Sequence, residues 1–317
     1  MRFGIMSAIV NIIAPVFALI LLGWFVAKTP VWHRDATGHF NRFVFWVALP
    51  AMLFGKLAAG GAFAGVEPLI AAAYFGGSLA TMVLALLFAR LVLRLPGEEA
   101  ALYGMGASFS NTVLLGLPLI VLALGDRALG PLTAIIALNA MILLPTTSFL
   151  VEIARGRKSG ARLRHVVLAP IPALAKNPVL VAMAAGALWG FTGIGLAEPV
   201  TKVIGLLSGA AGPCALFALG AGLAAYRITG SPAETATMSV FKLAVHPLIV
   251  WTLCTQVFAL DPLTVSVATM MAAIPVGATV FVLAQQYGSF VGPVTSSILI
   301  STGISAGTLA AVIAVVG

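Results

Sequence analysis

The chain returns again and again to sparsely charged, apolar runs about as long as a bilayer's hydrocarbon core is thick, and this recurrence constrains the fold more than any motif. A helix crossing that core needs about 20 mostly apolar residues. Such runs fall at approximately 5–27, 39–58, 68–93, 99–124, 129–153, 177–194, 199–223, 238–260, 264–286 and 291–316. A water-soluble core does not account for them. Of 317 residues 61% are apolar and 8% charged, too few charges to clothe a soluble surface. In lipid the backbone must satisfy its own hydrogen bonds, which for runs of this length leaves helices. The first run is too long for the apolar part of a signal peptide and lacks a small-residue cleavage pattern, so it reads as a spanning helix. The predicted fold is an all-α polytopic membrane protein with ten transmembrane helices.

Charge sets the expected orientation. The net charge of +8 does not call for nucleic acid, because it follows the loops. Lys28, Arg34, Arg42, Arg90, Arg94, Arg155, Arg157, Lys158, Arg162, Arg164, Lys176, Arg227 and Lys242 fall on the side of the first loop, and Arg2, Lys56, Arg127 and Lys202 on the other. This predicts both termini on the non-cytoplasmic side. The basic stretch 154–176 is the one plausible linker, dividing the chain into 1–153 and 177–317. Cys214 and Cys254 sit in apolar runs and read as small buried hydrophobes.

Five runs on each side of the linker point to a duplication. An offset of 163 residues takes Pro15 to Pro178, Gly23 to Gly186, Pro50 to Pro213, Phe54 to Phe217 and Gly125 to Gly288. With an odd number of helices per repeat, the second repeat enters the membrane from the opposite side, so the expected architecture is two inverted five-helix repeats.

Runs four and nine are broken. In the fourth, Ser110, Asn111 and Thr112 are followed by Gly116 and Pro118; in the ninth, Pro275 and Gly277 precede Thr279. Proline removes a helix hydrogen bond, and glycine weakens the helix. Non-helical backbone at mid-membrane is tolerated only inside protein or beside a wet cavity. The downstream half-helices would present free N–H groups and a positive dipole end, which favour an anion. Asn111 adds an amide donor, and Ser110, Thr112 and Thr279 add hydroxyls. Asn139 in run five either faces this crossing or bonds a neighbouring helix. Every acidic residue falls near a run's end or in a loop, and His246, followed by Pro247, reads as a hydrogen-bonded kink residue rather than a proton relay. No cofactor, metal cluster or HExxH or GxSxG motif is evident, which argues against an enzyme.

Ser110-Asn111-Thr112 with Gly116 and Pro118-Leu119, Lys176-Asn177-Pro178, and Pro275 and Gly277 followed by Phe281-Val282, Ala284 and Tyr287 resemble the auxin efflux carrier family. The resemblance runs from the second span to the C-terminus and implies ten helices whose broken fourth and ninth members cross. It implies that Asn111 meets the substrate carboxylate beside Pro275, and it allows Asn139 a place in the pocket and the protein a homodimeric, elevator-type movement. Phe54 joins the expected substrate-binding set. The short linker and Gln285-Gln286 depart from the plant carriers and fit a short bacterial inner-membrane member similar to malonate or malate permeases, so auxin does not follow from the match.

The expected function is a secondary transporter of small organic anions, mono- or dicarboxylates or auxin-like weak acids, working in a lipid bilayer. Without a buried acid, potential-driven uniport is the expected motive force. Sodium or proton coupling, and a sensor that binds without transporting, are the alternatives.

Overall fold

The computed structural model describes residues 2–33, 35–59, 68–155 and 176–316. Arg34, Glu67 and nearly all of the basic linker lie outside them. The described chain is helical: α1 (Arg2–Val26), α2 (Ala36–Ala58), α3 (Leu69–Leu91), α4 (Gly97–Ser108), α5 (Thr112–Leu124), α6 (Asp126–Ala154), α7 (Pro178–Phe191), α8 (Glu198–Leu223), α9 (Pro232–Val257), α10 (Pro262–Ala273), α11 (Ala278–Tyr287) and α12 (Val291–Val316). Six of these, α2, α3, α6, α8, α9 and α12, are long and apolar enough to cross a membrane on their own. The protein is thus a multi-pass membrane protein.

Local sequence explains where the helices begin. Pro178, Pro232 and Pro262 sit in first turns, where the missing N–H costs nothing, and the residues before them cap the helices. Asn177 accepts from the N–H groups of Val179 and Leu180, and Asp261 from those of Leu263 and Thr264. Proline also explains three π-turns. Val44–Ala48, Thr112–Gly116 and Phe241–Val245 each end two residues before Pro50, Pro118 or Pro247, the wider turn relieving the clash and the lost bond that proline imposes. Pro118 therefore does not break its helix, contrary to expectation: it lies in the first α-turn after a π-turn, and the true break lies upstream at 109–111.

The chain divides into two compact units, and neither is one of the sequence halves. Unit 1 comprises residues 1–66, 113–133 and 173–225, so it holds α1, α2, α5, α7 and α8; unit 2 comprises 67–112, 134–172 and 226–317 and holds α3, α4, most of α6 and α9 to α12. In unit 1, α1 packs on α8, and α2 on α7 and α8. The contacts are backbone-close: a Cβ on Gly220 would lie 1.8 Å from the Ile20 carbonyl oxygen, and one on Gly23 2.1 Å from that of Phe217. In unit 2, α9 packs on α3, α10 and α12, and α11 lies between α4 and α12.

The 163-residue offset reappears in the elements. Shifted by it, Leu69–Leu91 lands on 232–254, against an observed Pro232–Val257. Gly97–Ser108 lands on 260–271, against Pro262–Ala273. The offset pairs Gly23 with Gly186 and Phe54 with Phe217, and the packing exchanges them: Gly23 meets the Phe217 backbone, and Gly186 the Phe54 backbone, its Cβ position 2.7 Å from the Phe54 oxygen.

Candidate functional site

Two helices of unit 2 stop in mid-course. After Ser108, Phe109 is extended (φ −84°, ψ 113°); after Ala273, Ile274 is extended (φ −70°, ψ 155°). The two extended stretches pair. The Asn111 N–H donates to the Pro275 carbonyl at 3.1 Å, the Gly277 N–H to the Phe109 carbonyl at 2.9 Å, and Ser110 and Val276 form an antiparallel bridge. Each break thus supplies hydrogen bonds that the other lost, which is how non-helical backbone survives burial. The Val276 N–H donates to Ser301 Oγ at 3.2 Å, and the Tyr74 hydroxyl reaches Ser110 Oγ at 3.4 Å. Proline suits position 275 because only its carbonyl is used. Glycine is required at 277, where a Cβ would lie 2.7 Å from the Phe109 ring and 2.9 Å from the Ser110 oxygen.

This pairing gathers the expected residues Ser110, Asn111, Pro275 and Gly277, all buried, with Thr112 buried beside them and Thr279 half-buried in the first turn of α11. Gly116, Pro118 and Phe54 belong to unit 1, where the Phe54 carbonyl packs on Gly186. Asn139 is 2% exposed, in unit 2.

Asn111 is the chemically informative member. It is 7% exposed, its backbone N–H is spent on Pro275, and its side-chain Nδ2 has no hydrogen-bond partner. A buried amide donor left unpaired costs about 1–3 kcal/mol. Asn139 Oδ1, Thr269 Oγ1 and Ser297 Oγ in unit 2, and Asn41 Oδ1 in unit 1, are likewise buried without partners. A few residues from Asn111, α11 starts at Ala278 with the free N–H groups and positive end that any helix N-terminus carries. The unpaired Nδ2 and the start of α11 are both hydrogen-bond donors. Every described carboxylate stays in a loop, a cap or a terminal helix turn.

At the far ends of the same helices a clamp holds them. Arg155 donates to Glu98 Oε2 at 2.5 Å and to the Tyr287 carbonyl at 2.5 Å, and stacks on the Tyr287 ring. It ties the start of α4 to the end of α11. The Arg155 guanidinium holds the Glu98 carboxyl below its ordinary range. An apolar, half-open recess of about 500 Å³ lies elsewhere in unit 2, lined by Thr229, Pro232, Leu243, Ile300 and Ile304 among others, with no charged group in its wall.

One expectation is corrected. Lys242 was expected at a loop end among the cytoplasmic charges. However, α9 begins at Pro232, capped by Ser231, so Lys242 lies ten residues in, about 15 Å along the axis, and is 0% exposed. Its ammonium donates to the Ala272 carbonyl at 2.5 Å and lies 3.2 Å from His246 Nδ1. The run drawn as 238–260 starts six residues late, which left Lys242 close enough to its end to be counted with the loop charges. The signal that could have found it is the Ser231-Pro232-x-Glu234 helix start.

Similarity to known proteins agrees with these features. A protein of Rhizobium meliloti (strain 1021), provisionally named a malonate transporter, is 30% identical over 308 residues, covering 96% of this chain and 94% of that relative. The family model described as "Membrane transport protein" matches residues 8–313. With its helices, its unit 2 junction and this match over nearly its full length, the chain belongs to the membrane transport protein family.

Proposed function

We propose that this transporter carries small organic anions, mono- or dicarboxylates, by elevator-type alternating access, with the carboxylate held where the breaks after α4 and α10 pair. The observation that carries the proposal is the Asn111 amide: buried, unpaired and beside a helix N-terminus, it lacks only an acceptor. The name of the Rhizobium meliloti relative makes malonate the first substrate to try. We read the chain as ten crossings, α4 with α5 and α10 with α11 each making one. We read them as two inverted five-helix repeats, a reading that the 163-residue offset and the reciprocal Gly23–Phe217 and Gly186–Phe54 packing support. The loop charges support placing both termini outside the cytoplasm, and the resemblance in sequence supports a bacterial inner-membrane location and a homodimer.

Malonate counterflow tests the function. Proteoliposomes preloaded with unlabelled malonate should take up labelled malonate with the wild type. With Asn111→Ala the rate should fall at least about tenfold, the equivalent of about 1.4 kcal/mol. Equal rates would sink the assignment.

A further inference from the structure

The buried pair Lys242 and His246 is left over from this account. Both are 0% exposed, on successive turns of α9 around the π-turn Phe241–Val245. The Lys242 ammonium donates to the Ala272 carbonyl and, at 3.2 Å, to His246 Nδ1. His246 Nε2 lies 2.9 Å from Ser78 Oγ, whose hydroxyl donates to the Tyr74 carbonyl at 2.8 Å. Because the Ser78 hydrogen is committed to Tyr74, Nε2 is a donor of the ring. The Lys242 Nζ–His246 Nδ1 contact is then the place where the pair can hold one exchangeable proton.

Among the described residues of the unit, that proton has no anionic partner. Packed against this stretch of α9 are α3, α4, α10 and α12. From them come Tyr74, whose ring centroid is 5.9 Å from that of His246, and Tyr103, which donates to Thr237. Arg90, Glu98, Glu99 and the α10 cap Asp261 sit at helix ends, and α12 contributes no ionisable residue. On α9 itself Glu234 lies in the first turn. Among the described residues no carboxylate forms an ion pair with Lys242. A buried cation without a counter-charge is costly. The carbonyl end of α10 offsets part of that cost, since Ala272 is its penultimate residue. An anion at the crossing, three residues on at Pro275, would offset more, and by linkage the proton would strengthen anion binding equally.

We propose that Lys242 and His246 form a proton site and that the chain moves its anion together with a proton held there. This rests on the crossing being the anion site. The step is acid–base only: the lone pair of the lysine amine takes a proton from water on the loading side and returns it to water on the other, and no bond to substrate forms. The uniport expected from an acid-free midplane is revised accordingly, because the ionisable group is a base.

The test is malonate accumulation in proteoliposomes with the voltage clamped at zero by potassium and valinomycin. A one-unit inward proton gradient should support about tenfold accumulation by the wild type, one pH unit being one decade of driving force. Lys242→Met should still exchange malonate, at a higher half-saturating concentration, and lose the accumulation; a lysine that merely caps α10 would leave accumulation per pH unit unchanged in any variant that still folds. Should Lys242→Met not fold, His246→Gln decides, with counterflow kept and accumulation reduced. Wild-type counterflow without proton-driven accumulation overturns the inference, as does full accumulation by either variant. Absence of wild-type counterflow overturns the anion site first and the inference with it.

Discussion

Unit 1 has the tightest glycine-to-backbone contacts, whereas unit 2 holds nearly all of the buried polar side chains. Of the 23 buried polar or charged side chains among the described residues, all except Thr133 lie in unit 2. Both units are cut from similarly apolar helices, so composition does not separate them. The difference lies in what each interface must do. Close backbone contact, as at Gly23 and Gly220, maximises dispersion between helices that gain little from hydrophobicity in lipid. Buried hydroxyls and amides bring little packing and some desolvation cost, and most return a bond to the carbonyl one turn back, as Thr81 does to Gly77. Among the described residues, buried side-chain atoms with no partner are Asn41 Oδ1 in unit 1 and Asn111 Nδ2, Asn139 Oδ1, Thr269 Oγ1 and Ser297 Oγ in unit 2.

The comparison is broken most severely by adding bulk to each unit. Gly220→Val should leave no correctly folded protein, since even a methyl would meet the Ile20 carbonyl at 1.8 Å; the cost exceeds the usual 1–3 kcal/mol of overpacking because backbone is the obstacle. A monodisperse, heat-stable variant in size-exclusion and thermal-melt assays would show the interface to be loose. Gly277→Ala tests unit 2. Its methyl strikes the Phe109 ring and the Ser110 oxygen, so the pairing of the breaks should open and malonate counterflow should fall by about tenfold or more, with a smaller loss of melting temperature than in Gly220→Val. If melting suffers more than transport, the crossing is structural. Tyr103→Phe removes a 2.9 Å bond to Thr237 and should cost about 1 kcal/mol of stability without changing malonate affinity.

The smallest effect concerns the clamp at the ends of α4 and α11. The folded-state pKa of Glu98 is depressed by Arg155, so its contribution is present above the unfolded carboxylate value of about 4.3 and is lost as pH falls through the folded value. Glu98→Gln should therefore be slightly less stable than wild type near neutrality, with the gap closing in acid. A gap that widens as pH falls would mean that the carboxylate does not pair with Arg155 in solution. The effect is small because the pair is partly exposed and screened by water.

Much of this was legible beforehand because it rests on backbone chemistry. Pro275 and Gly277 announce a break whatever surrounds them, and Asn111 in an apolar run announces a polar need. The offset of 163 residues was visible through Gly23, Gly186, Phe54 and Phe217, and the same four residues pack reciprocally. What was hidden depends on three-dimensional neighbours. Pro118 looks like a breaker until a π-turn absorbs it, and nothing local records that the chain's halves interleave into two compact units. Lys242 was lost because the run drawn from 238 starts six residues late, while its partners Ala272 and His246 lie across a helix interface and one turn on.

The most direct test of the central claim, that unit 2 handles the ligand at the paired breaks, is hydrogen–deuterium exchange with and without malonate. Protection should appear in peptides covering 106–119 and 274–284, be absent from those covering 12–26 and 211–223, and vanish in Asn111→Ala. Protection confined to the apolar recess around 228–244, or unchanged by the Asn111 substitution, would contradict the account.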